Sequence, residues 1–497
     1  MTLSTFVGAT LVRSSLRWAQ CAILILGTAF IAQCGKAPST AIDTHGGFTL
    51  ASLKGNYTYL ISGVLAGGFL YQEAGTFIAD GNGKITSGTD DFLEGSLVSQ
   101  PFVGSYDITS DGAGMLFLTI GNKSVQWAIT LATDSQLYIV EFDNYGTGGG
   151  GARRQTPSAL ESLPSGSFAF RTHNSQGSVA KVGVFTTQSN GSLTGMEDVL
   201  RQNVLISPSI SGSISQPDQN GRGTIHFEES TGIVSTFNYY VIDSQTLNLL
   251  QIDMNSLGEG RAEQRNASTF DNASLDGSFA FKSSGDTPGS IGGVNSVGSF
   301  NVDGNGSITL GTYDTVRDGM PLLNAPTDGS YNVENTGRVS VSLNPQGMPA
   351  IQEVGWLVDS SHGFFLIDST DRVEDGRFDQ QSTVGFTNSS LNGQFGFVLS
   401  GYDDQTPHPV SRLGVVVFDG QGVAMFQDYL VNRSGLTNRK GGFSGTYNVT
   451  AEGRISVVVP GVTKALIGHL MSNNVGYLLV ADEGAEEPGR LEQAVLP

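Results

Sequence analysis

The residue types that most often carry catalysis are few in this sequence and lie apart. The sequence contains no G-x-S-x-G elbow, no H-E-x-x-H, no P-loop and no complete dinucleotide fingerprint. The six histidines are His45, His173, His226, His362, His408 and His469; His45 precedes the first repeat, and the others occur once or twice in each later repeat at positions that are not equivalent. We therefore predict a non-enzymatic protein with no catalytic residues, no metal site and no cofactor, and we expect the histidines at the surface or in turns.

Two short acidic segments could bind calcium. Residues 80–83 and 303–306 both read Asp-Gly-Asn-Gly, which places oxygen ligands at alternate positions, as the start of a calcium loop does. The glycine spacing differs from that of an EF-hand, and no glutamate stands at the twelfth position. Asp-Gly and Asn-Gly also supply the positive φ angles of a tight hairpin turn. The pattern favours the turn over the calcium loop.

Two tryptophans are the candidate pocket residues. Trp127 and Trp356 stand at similar places on the sixth strand of the first and third repeats, with Tyr240 and His469 nearby in the second and fourth. An aromatic residue at one recurrent position fills the core or lines a ligand pocket. We predict a core position, with a pocket for a sugar or lipid as the alternative.

A cation recurs in the last strand of each repeat, inside a Gly-x-x-x-Gln element that runs from residue 151 to 155 in the first repeat. The four arginines are Arg153, Arg261, Arg377 and Arg490. The strand before each of them ends in an acid: Asp143, Asp253, Asp368 and Asp482. Opposite charges on neighbouring strands predict a structural ion pair or hydrogen bond, with ligand recognition as the alternative.

Four tandem repeats position all these residues. Each begins with a leucine, a glycine and two aromatic residues spaced two apart: Tyr57 and Tyr59, Phe168 and Phe170, Phe279 and Phe281, and Phe395 and Phe397. Residues two apart on a strand share a face, so these pairs predict core positions on an opening strand. The repeat length is about 110 residues, more than twice that of a propeller blade.

The third repeat predicts eight short strands, beginning near residues 278, 294, 307, 329, 338, 351, 363 and 376. Short connections imply antiparallel neighbours. Eight strands can close on themselves, with the last pairing to the aromatic first strand. We predict an all-β protein of four tandem meander modules, each a small eight-stranded up-and-down β-barrel. A two-sheet β-sandwich is the second choice, and a four-bladed propeller is the third.

The N-terminus has the features of an export signal. Residues 1–37 contain no acid, and an apolar run follows Arg17. One cleavage pattern places small residues before position 38. The other, Ile-Ala-Gln-Cys ending at Cys34, resembles a lipobox but has Gln33 where glycine or alanine is usual. We predict a signal peptide with Cys34 as a lipidation candidate, and an uncleaved membrane anchor as the alternative.

Cysteine content and net charge exclude some classes of protein and partner. The only cysteines are Cys21 and Cys34, so disulfides cannot join the modules. The formal net charge is −20, a balance that repels nucleic acid and anionic membrane surfaces. We expect no nucleic-acid partner, and membrane contact only through an N-terminal lipid.

The domain organisation follows from the repeats. We predict a signal peptide over 1–37, a tether over 38–51, and four modules. The modules span 52–156, 162–266, 274–382 and 390–494.

The whole pattern resembles a class of bacterial exported, lipoprotein-like proteins of unknown function with tandem Gly- and aromatic-rich β repeats. The architecture alone is similar to small lipocalin- or avidin-like barrels, and fold does not fix function. Three functions compete. We expect a cell-envelope or secreted scaffold or adhesion protein with a cell-surface protein or glycan partner. Binding of a small lipid or sugar inside the barrels is the first alternative, and a hydrolase is the second.

Overall fold

The structure is a computed structural model that describes residues 47–174, 179–201, 203–253, 257–287, 293–383, 385–403, 408–460, 465–482 and 485–495. Each repeat folds as a closed eight-stranded antiparallel barrel, which confirms the predicted fold. The sandwich and propeller alternatives are wrong. The export signal, Cys21, Cys34 and His45 lie outside the described residues.

The strands are numbered in chain order. Barrel 1 consists of β1(Lys54–Leu65), β2(Leu70–Asp80), β3(Lys84–Glu94), β4(Ser96–Ile108), β5(Ala113–Ile120), β6(Lys123–Leu131), β7(Gln136–Glu141) and β8(Gly146–Arg154). Barrel 2 consists of β9(Gly166–Asn174), β10(Val179–Thr187), β11(Ser192–Arg201), β12(Val204–Ile206), β13(Ser209–Ile214), β14(Arg222–Glu229), β15(Val234–Val241), β16(Thr246–Gln251) and β17(Gly258–Gln264). In barrel 2 the short β12 pairs only with β11, outside the ring of eight.

The second half of the chain repeats this plan. Barrel 3 consists of β18(Asp276–Asp286), β19(Gly293–Asp303), β20(Ser307–Arg317), β21(Met320–Val333), β22(Arg338–Pro345), β23(Ile351–Leu357), β24(His362–Asp368) and β25(Val373–Gln380). Barrel 4 consists of β26(Asn392–Asp403), β27(His408–Asp419), β28(Val423–Arg433), β29(Leu436–Lys440), β30(Phe443–Val449), β31(Arg454–Val458), β32(Ala465–Ser472), β33(Val475–Asp482) and β34(Ala485–Gln493), with β29 as its extra strand. Short 3-10 helices lie at Leu50–Ser52, Pro157–Ala159, Asn272–Ser274 and Asn388–Ser390.

The paired aromatics of the opening strands point into the barrels, as predicted. In barrel 1, Tyr57 stacks on Phe77 with ring centroids 5.2 Å apart, and both lie in the barrel core. The last strand closes the barrel by pairing with the first, as in Tyr59↔Ala152. A recurrent glycine on the second strand makes room for the second aromatic ring. A Cβ on Gly298 would lie 2.3 Å from the ring of Phe281.

The hairpin turns explain the acidic segments. Asp80 Oδ1 accepts hydrogen bonds from the backbone N–H groups of Asn82 (2.7 Å) and Lys84 (3.0 Å). Asp303 accepts equivalent bonds from Asn305 and Ser307. These carboxylates cap the turn, as the hairpin interpretation predicts. Among the described residues, no group of His, Cys, Asp or Glu side chains could hold a metal ion.

The four barrels contact one another in a closed cycle. An apolar cluster forms each of the four junctions. One joins barrels 1 and 2 through residues such as Leu93 and Tyr240, and the next joins barrels 2 and 3 through Leu200 and Trp356. The third joins barrels 3 and 4, and the last joins barrel 4 back to barrel 1. The repeats therefore bury their faces against each other, as amphipathic units in a repeat protein must.

An aspartate and an arginine strengthen three of the junctions. Arg338 of barrel 3 donates to both carboxylate oxygens of Asp198 in barrel 2, each at 2.9 Å, and Trp356 Nε1 donates to Asp198 Oδ2 at 2.9 Å. The other two sets repeat this geometry: Arg222 and Tyr240 with Asp91, and Arg454 and His469 with Asp314. Each buried carboxylate is thus paired bidentately by the following barrel.

The junction of barrel 4 with barrel 1, here called the seam, is built differently. Leu430 occupies the position of the junction aspartates, because it pairs with Leu413 as Asp91 pairs with Ala74. In barrel 1, Ala113 stands where the other barrels have arginine. Leu430 packs in an apolar cluster with barrel 1 residues. The seam therefore replaces the ion pair by apolar contact.

Candidate functional site

The barrel interiors are filled by side chains over their apolar halves. In barrel 1, Tyr59 packs against Trp127 with ring centroids 5.0 Å apart. The apolar space inside barrel 3 has a volume of about 30 Å³, which is room for about one water molecule. Such interiors resemble those of small eight-stranded barrels whose side chains fill the lumen.

The two candidate pocket tryptophans lie in different environments, and the predicted equivalence between them is wrong. Trp127 pairs with Leu116 and faces the interior of barrel 1, whereas Trp356 pairs with Arg338 and faces the junction with barrel 2. The register makes Glu353 the counterpart of Trp127 in barrel 3. The sequence comparison aligned Trp127 with Trp356, which lies three residues after Glu353 on the same strand. Residues three apart on a strand point to opposite faces, so this alignment was displaced by an odd number of residues.

The other half of each barrel interior holds a buried polar network that sequence reasoning missed. In barrel 1, Tyr59 OH donates to Asp90 Oδ1 at 2.8 Å and Tyr71 OH donates to Glu141 Oε2 at 2.6 Å. Burial raises the pKa of Asp90 to about 6 and that of Glu141 to about 7. Burial and the nearby Asp90 raise the pKa of Glu73 well above its usual range.

Each barrel builds its network from different residues. The counterparts of Glu73, two residues before the recurrent glycine, are Lys181, Ser296 and Arg412. Lys181 Nζ donates to Glu229 Oε1 at 2.9 Å and to Glu197 Oε1 at 3.2 Å. The sequence did contain one indication of this network, namely a polar residue at an inward-facing position of the second strand. These groups are buried, and many of them pair with one another, as buried polar groups in folded proteins usually do.

A cavity of about 350 Å³ lies where the four barrels meet, and we call it the central cavity. Its walls come from the opening and closing strands of the four barrels and from the second strands of barrels 1, 3 and 4. Charged groups come from barrels 2 and 3: Arg171, His173, Glu259, Lys282, Asp286, Asp375 and Arg377. Barrels 1 and 4 contribute hydroxyl, aromatic and apolar groups, including Ser62, Leu70, Tyr71, Ser400, Tyr402 and Pro409. The volume falls at the lower end of the range for small-molecule pockets, about 300–1,000 Å³.

The four closing arginines come together around this centre. The charges of Arg153, Arg377 and Arg490 lower the pKa of Arg261, and burial is the largest cause of its fall to about 9. Sequence placed the four arginines in one element, but the register differs in barrel 1. There Gly151, not Arg153, is the counterpart of Arg261.

The predicted Gly-x-x-x-Gln alignment is correspondingly wrong in the first repeat. Arg154 occupies the position of Gln264, because its N–H donates to Ser135 as that of Gln264 donates to Gln245. The side chain of Gln155 instead donates to the carbonyl of Val241 at 2.7 Å, in the next barrel. The one-residue displacement moves a side chain from one face of the strand to the other.

The predicted acidic partners of the closing arginines are also wrong in the first three repeats, whereas the side chain of Asp482 in the fourth repeat lies outside the described residues. Arg377 pairs with Asp379 and with Glu263 of the neighbouring barrel, and Arg490 pairs with Glu492 at 3.3 Å. The acid thus lies two residues after the arginine on the same strand and face. Asp143, at the end of the preceding strand, accepts instead from the backbone N–H of Gln126 at 2.9 Å.

Histidines take part in these charged networks, so the prediction of surface or turn positions fails for three of them. His173 contacts Asp375 through Nδ1 (2.8 Å) and Asp286 through Nε2 (3.1 Å). Burial lowers its pKa, but the two carboxylates outweigh that effect and raise it to about 10. His362 pairs with Glu263 in the same way, and His469 is fully buried at the third junction.

Lys282 is the cation of the central cavity without an acidic partner. Among the described residues it has no ion pair or hydrogen bond, and its Nζ lies 5.7 Å from the ring centroid of Tyr477. Burial and the charges of Arg171, Arg490 and Arg377 lower its pKa from 10.5 to about 8. Burial raises the pKa of the nearby Glu259. The cavity therefore combines one unpaired amine with one carboxyl group that ionises reluctantly.

Comparison with known proteins shows no family for this chain. No family model and no curated protein matches the chain. Among solved structures, a DUF3598 family protein of unknown function from Nostoc punctiforme matches 44% of this chain and 95% of its own length, at 11% identity and a TM-score of 0.14. CghA in complex with Sch210972 matches 88% of both chains at 7% identity and a TM-score of 0.15. Neither similarity carries an argument about function.

No helix in the described part of the chain is long and apolar enough to cross a membrane. The sheet topology and the four junctions define an all-β protein of four antiparallel barrels joined in a cycle.

Proposed function

We propose that this protein is a non-enzymatic binding protein that holds one small polar ligand in the central cavity. The observation that carries the proposal is that all four barrels contribute to this one cavity of about 350 Å³. The barrel interiors, by contrast, are filled with aromatic side chains or with paired polar groups. A repeat protein that joins its modules in this way gains one composite site rather than four equal ones.

The lining of the cavity supports ligand binding because it offers several kinds of polar contact. Ser62, Ser284 and Ser400 occupy the same position in barrels 1, 3 and 4, and His173 occupies it in barrel 2. A small number of convergent polar groups beside apolar walls is typical of specific small-molecule sites. We further propose that the chain is exported and that Cys34 is its lipid attachment site. The scaffold or adhesion role stays a prediction.

The test of the binding site is a cavity-filling substitution. Ser284→Trp places an indole in the central cavity, and Ser340→Trp, at an exposed position on the outer face of the same barrel, is the matched control. Ligand-observed NMR with a mixture of small metabolites should show binding to the natural protein and to Ser340→Trp but not to Ser284→Trp. Equal binding by all three proteins, with circular dichroism showing intact folds, would place the ligand elsewhere.

The test of export and anchoring is independent of the ligand. Cys34→Ser should move the protein from the membrane fraction to the soluble fraction. Mass spectrometry of the natural N-terminal peptide should show a diacylglyceryl group on Cys34. An unmodified N-terminus beginning after residue 37 would establish ordinary cleavage instead.

A further inference from the structure

The charged side chains around the central cavity come from one side, formed by barrels 2 and 3. At the same register position of the opening strands, barrels 2 and 3 carry Arg171 and Lys282, which line the cavity. Barrels 1 and 4 carry Leu60 and Val398 there, which pack in the apolar junction clusters. Six of the 26 lysines and arginines of the chain lie around this centre: Arg153, Arg171, Arg261, Lys282, Arg377 and Arg490. A concentration of cations inside a protein of net charge −20 requires compensation by nearby anions.

Carboxylates of the protein provide that compensation incompletely. Arg171 pairs with Asp375 through Nη1, and Arg377 pairs with Glu263 and Asp379. Lys282 has no such partner among the described residues. In addition, Nη2 of Arg261 is buried and donates no hydrogen bond within the described structure. Two central cations thus keep unused hydrogen-bond donors, one of them open to the cavity.

We infer that the ligand of the central cavity is a small organic oxyanion whose carboxylate or phosphate group pairs with Lys282. The inference rests on the proposed function and specifies its ligand class. The opposite wall, formed by Leu70, Tyr71 and Pro409 in barrels 1 and 4, takes the less polar body of the ligand. Glu259 and the serine hydroxyls beside the amine receive or donate hydrogen bonds to the polar substituents of that body.

The alternative to ligand pairing is a purely structural lysine. A lysine that only supports the fold would pair with a carboxylate or extend to bulk solvent, because an unpaired buried ammonium is costly. Lys282 makes no ion pair or hydrogen bond among the described residues: its half-buried side chain lies near Arg171, Arg377 and Glu259 at the wall of a cavity large enough for a ligand. Pairing with the anionic group of a bound ligand would neutralise the charge of this ammonium group.

Three aromatic probes test the inference by isothermal titration calorimetry. Benzoate carries a carboxylate, phenyl phosphate carries a phosphate, and benzamide is a neutral analogue of benzoate. We expect benzoate or phenyl phosphate to bind at least tenfold more tightly than benzamide. Lys282→Gln should remove this preference, and Lys84→Gln, at an exposed hairpin position, should preserve it. The stronger of the two anions identifies the head group.

Chemical modification gives a second readout that needs no natural ligand. The amine of Lys282 adds to the aldehyde of pyridoxal 5′-phosphate, water leaves to give an imine, and borohydride delivers hydride to the imine carbon. Peptide mapping should find Lys282 modified ahead of the exposed lysines, and excess benzoate or phenyl phosphate should protect it.

The outcomes separate the ligand class from the binding function. Equal binding of benzamide and the anions, retained in Lys282→Gln but lost in Ser284→Trp, overturns the anion inference and leaves the proposed function intact. Absence of binding by all three probes, together with an unmodified Lys282, overturns the inference. Anion selectivity that disappears in Lys282→Gln, with an unchanged thermal midpoint for that variant, supports it.

Discussion

A buried glutamate in barrel 3 should make the stability of the protein depend on pH. Glu353 stands where barrel 1 has Trp127, and only 8% of its surface is exposed. Burial, with a contribution from the charge of Glu374, raises its pKa from 4.5 to about 8. The folded state therefore keeps this carboxyl group protonated at neutral pH, while the unfolded chain ionises it.

The sign and size follow from proton linkage. Below pH 4.5 both states are protonated, and the contribution of Glu353 to stability is fully present. As pH rises from 4.5 through 8, the folded state binds the proton more tightly than the unfolded state, so the free energy of unfolding falls. At about 1.4 kcal/mol for each pH unit, the change from 4.5 to about 8 amounts to about 5 kcal/mol.

Glu353→Gln removes this dependence while keeping the shape of the side chain. Urea unfolding followed by tryptophan fluorescence between pH 4 and 9 should show the variant gaining stability relative to the natural protein, from pH 5 upward, to a total of about 5 kcal/mol. Asp328→Asn, at an exposed position of the same barrel, is the control and should follow the natural curve. Parallel curves for Glu353→Gln and the natural protein would refute the assignment of a raised pKa to this carboxyl group.

The junctions and cores yield three further predictions, each measured by the midpoint of urea unfolding. Asp198→Ala leaves Arg338 partly buried without its carboxylate and should cost about 3 to 5 kcal/mol; an unchanged midpoint would contradict a structural role for the pair. Trp127→Ala empties a fully packed position and should cost about 3 to 5 kcal/mol, a value that would be near zero for an accessible pocket residue. Leu430→Asp should destabilise the seam by at least about 2 kcal/mol, and adding Ala113→Arg should restore part of the loss; no rescue would argue against equivalence of the four junctions.

The sequence was sufficient for the architecture because each barrel repeats the same local rules. Aromatic residues two apart, Asp-Gly turns and short connections specified eight strands per repeat. The strand predicted near residue 307 begins at Ser307, and the one predicted near 351 begins at Ile351. The strand predicted near residue 329 begins earlier, at Met320, because a long hairpin extends it.

The site was harder to predict because it depends on register and on contacts between repeats. The displaced alignments of Gln155 and Trp127 each assigned a side chain to the wrong face of a strand. The closed cycle depends on aspartates such as Asp198, whose arginine partner lies in the next repeat. One signal was present: Arg222, Arg338 and Arg454 each follow a turn glycine, and the first repeat has alanine there. No feature of the sequence marked Lys282 as a site residue, because it is distinguished only by the lack of an ion-pair partner among the described residues.

The seam determines how firmly the cycle stays closed. Three junctions hold barrels 1 to 4 in sequence, so Leu430 meets the apolar face of barrel 1 as part of the same molecule. Contact between two tethered surfaces forms at a high effective concentration, commonly in the millimolar range for short linkers, and needs little affinity of its own. The seam can therefore stay closed without an ion pair, through apolar packing and through the hydrogen bonds that Asn432 donates to the carbonyls of Glu141 (2.7 Å) and Gly146 (2.8 Å). The fourth junction thus closes the cycle through the covalent order of the modules as well as through its own contacts.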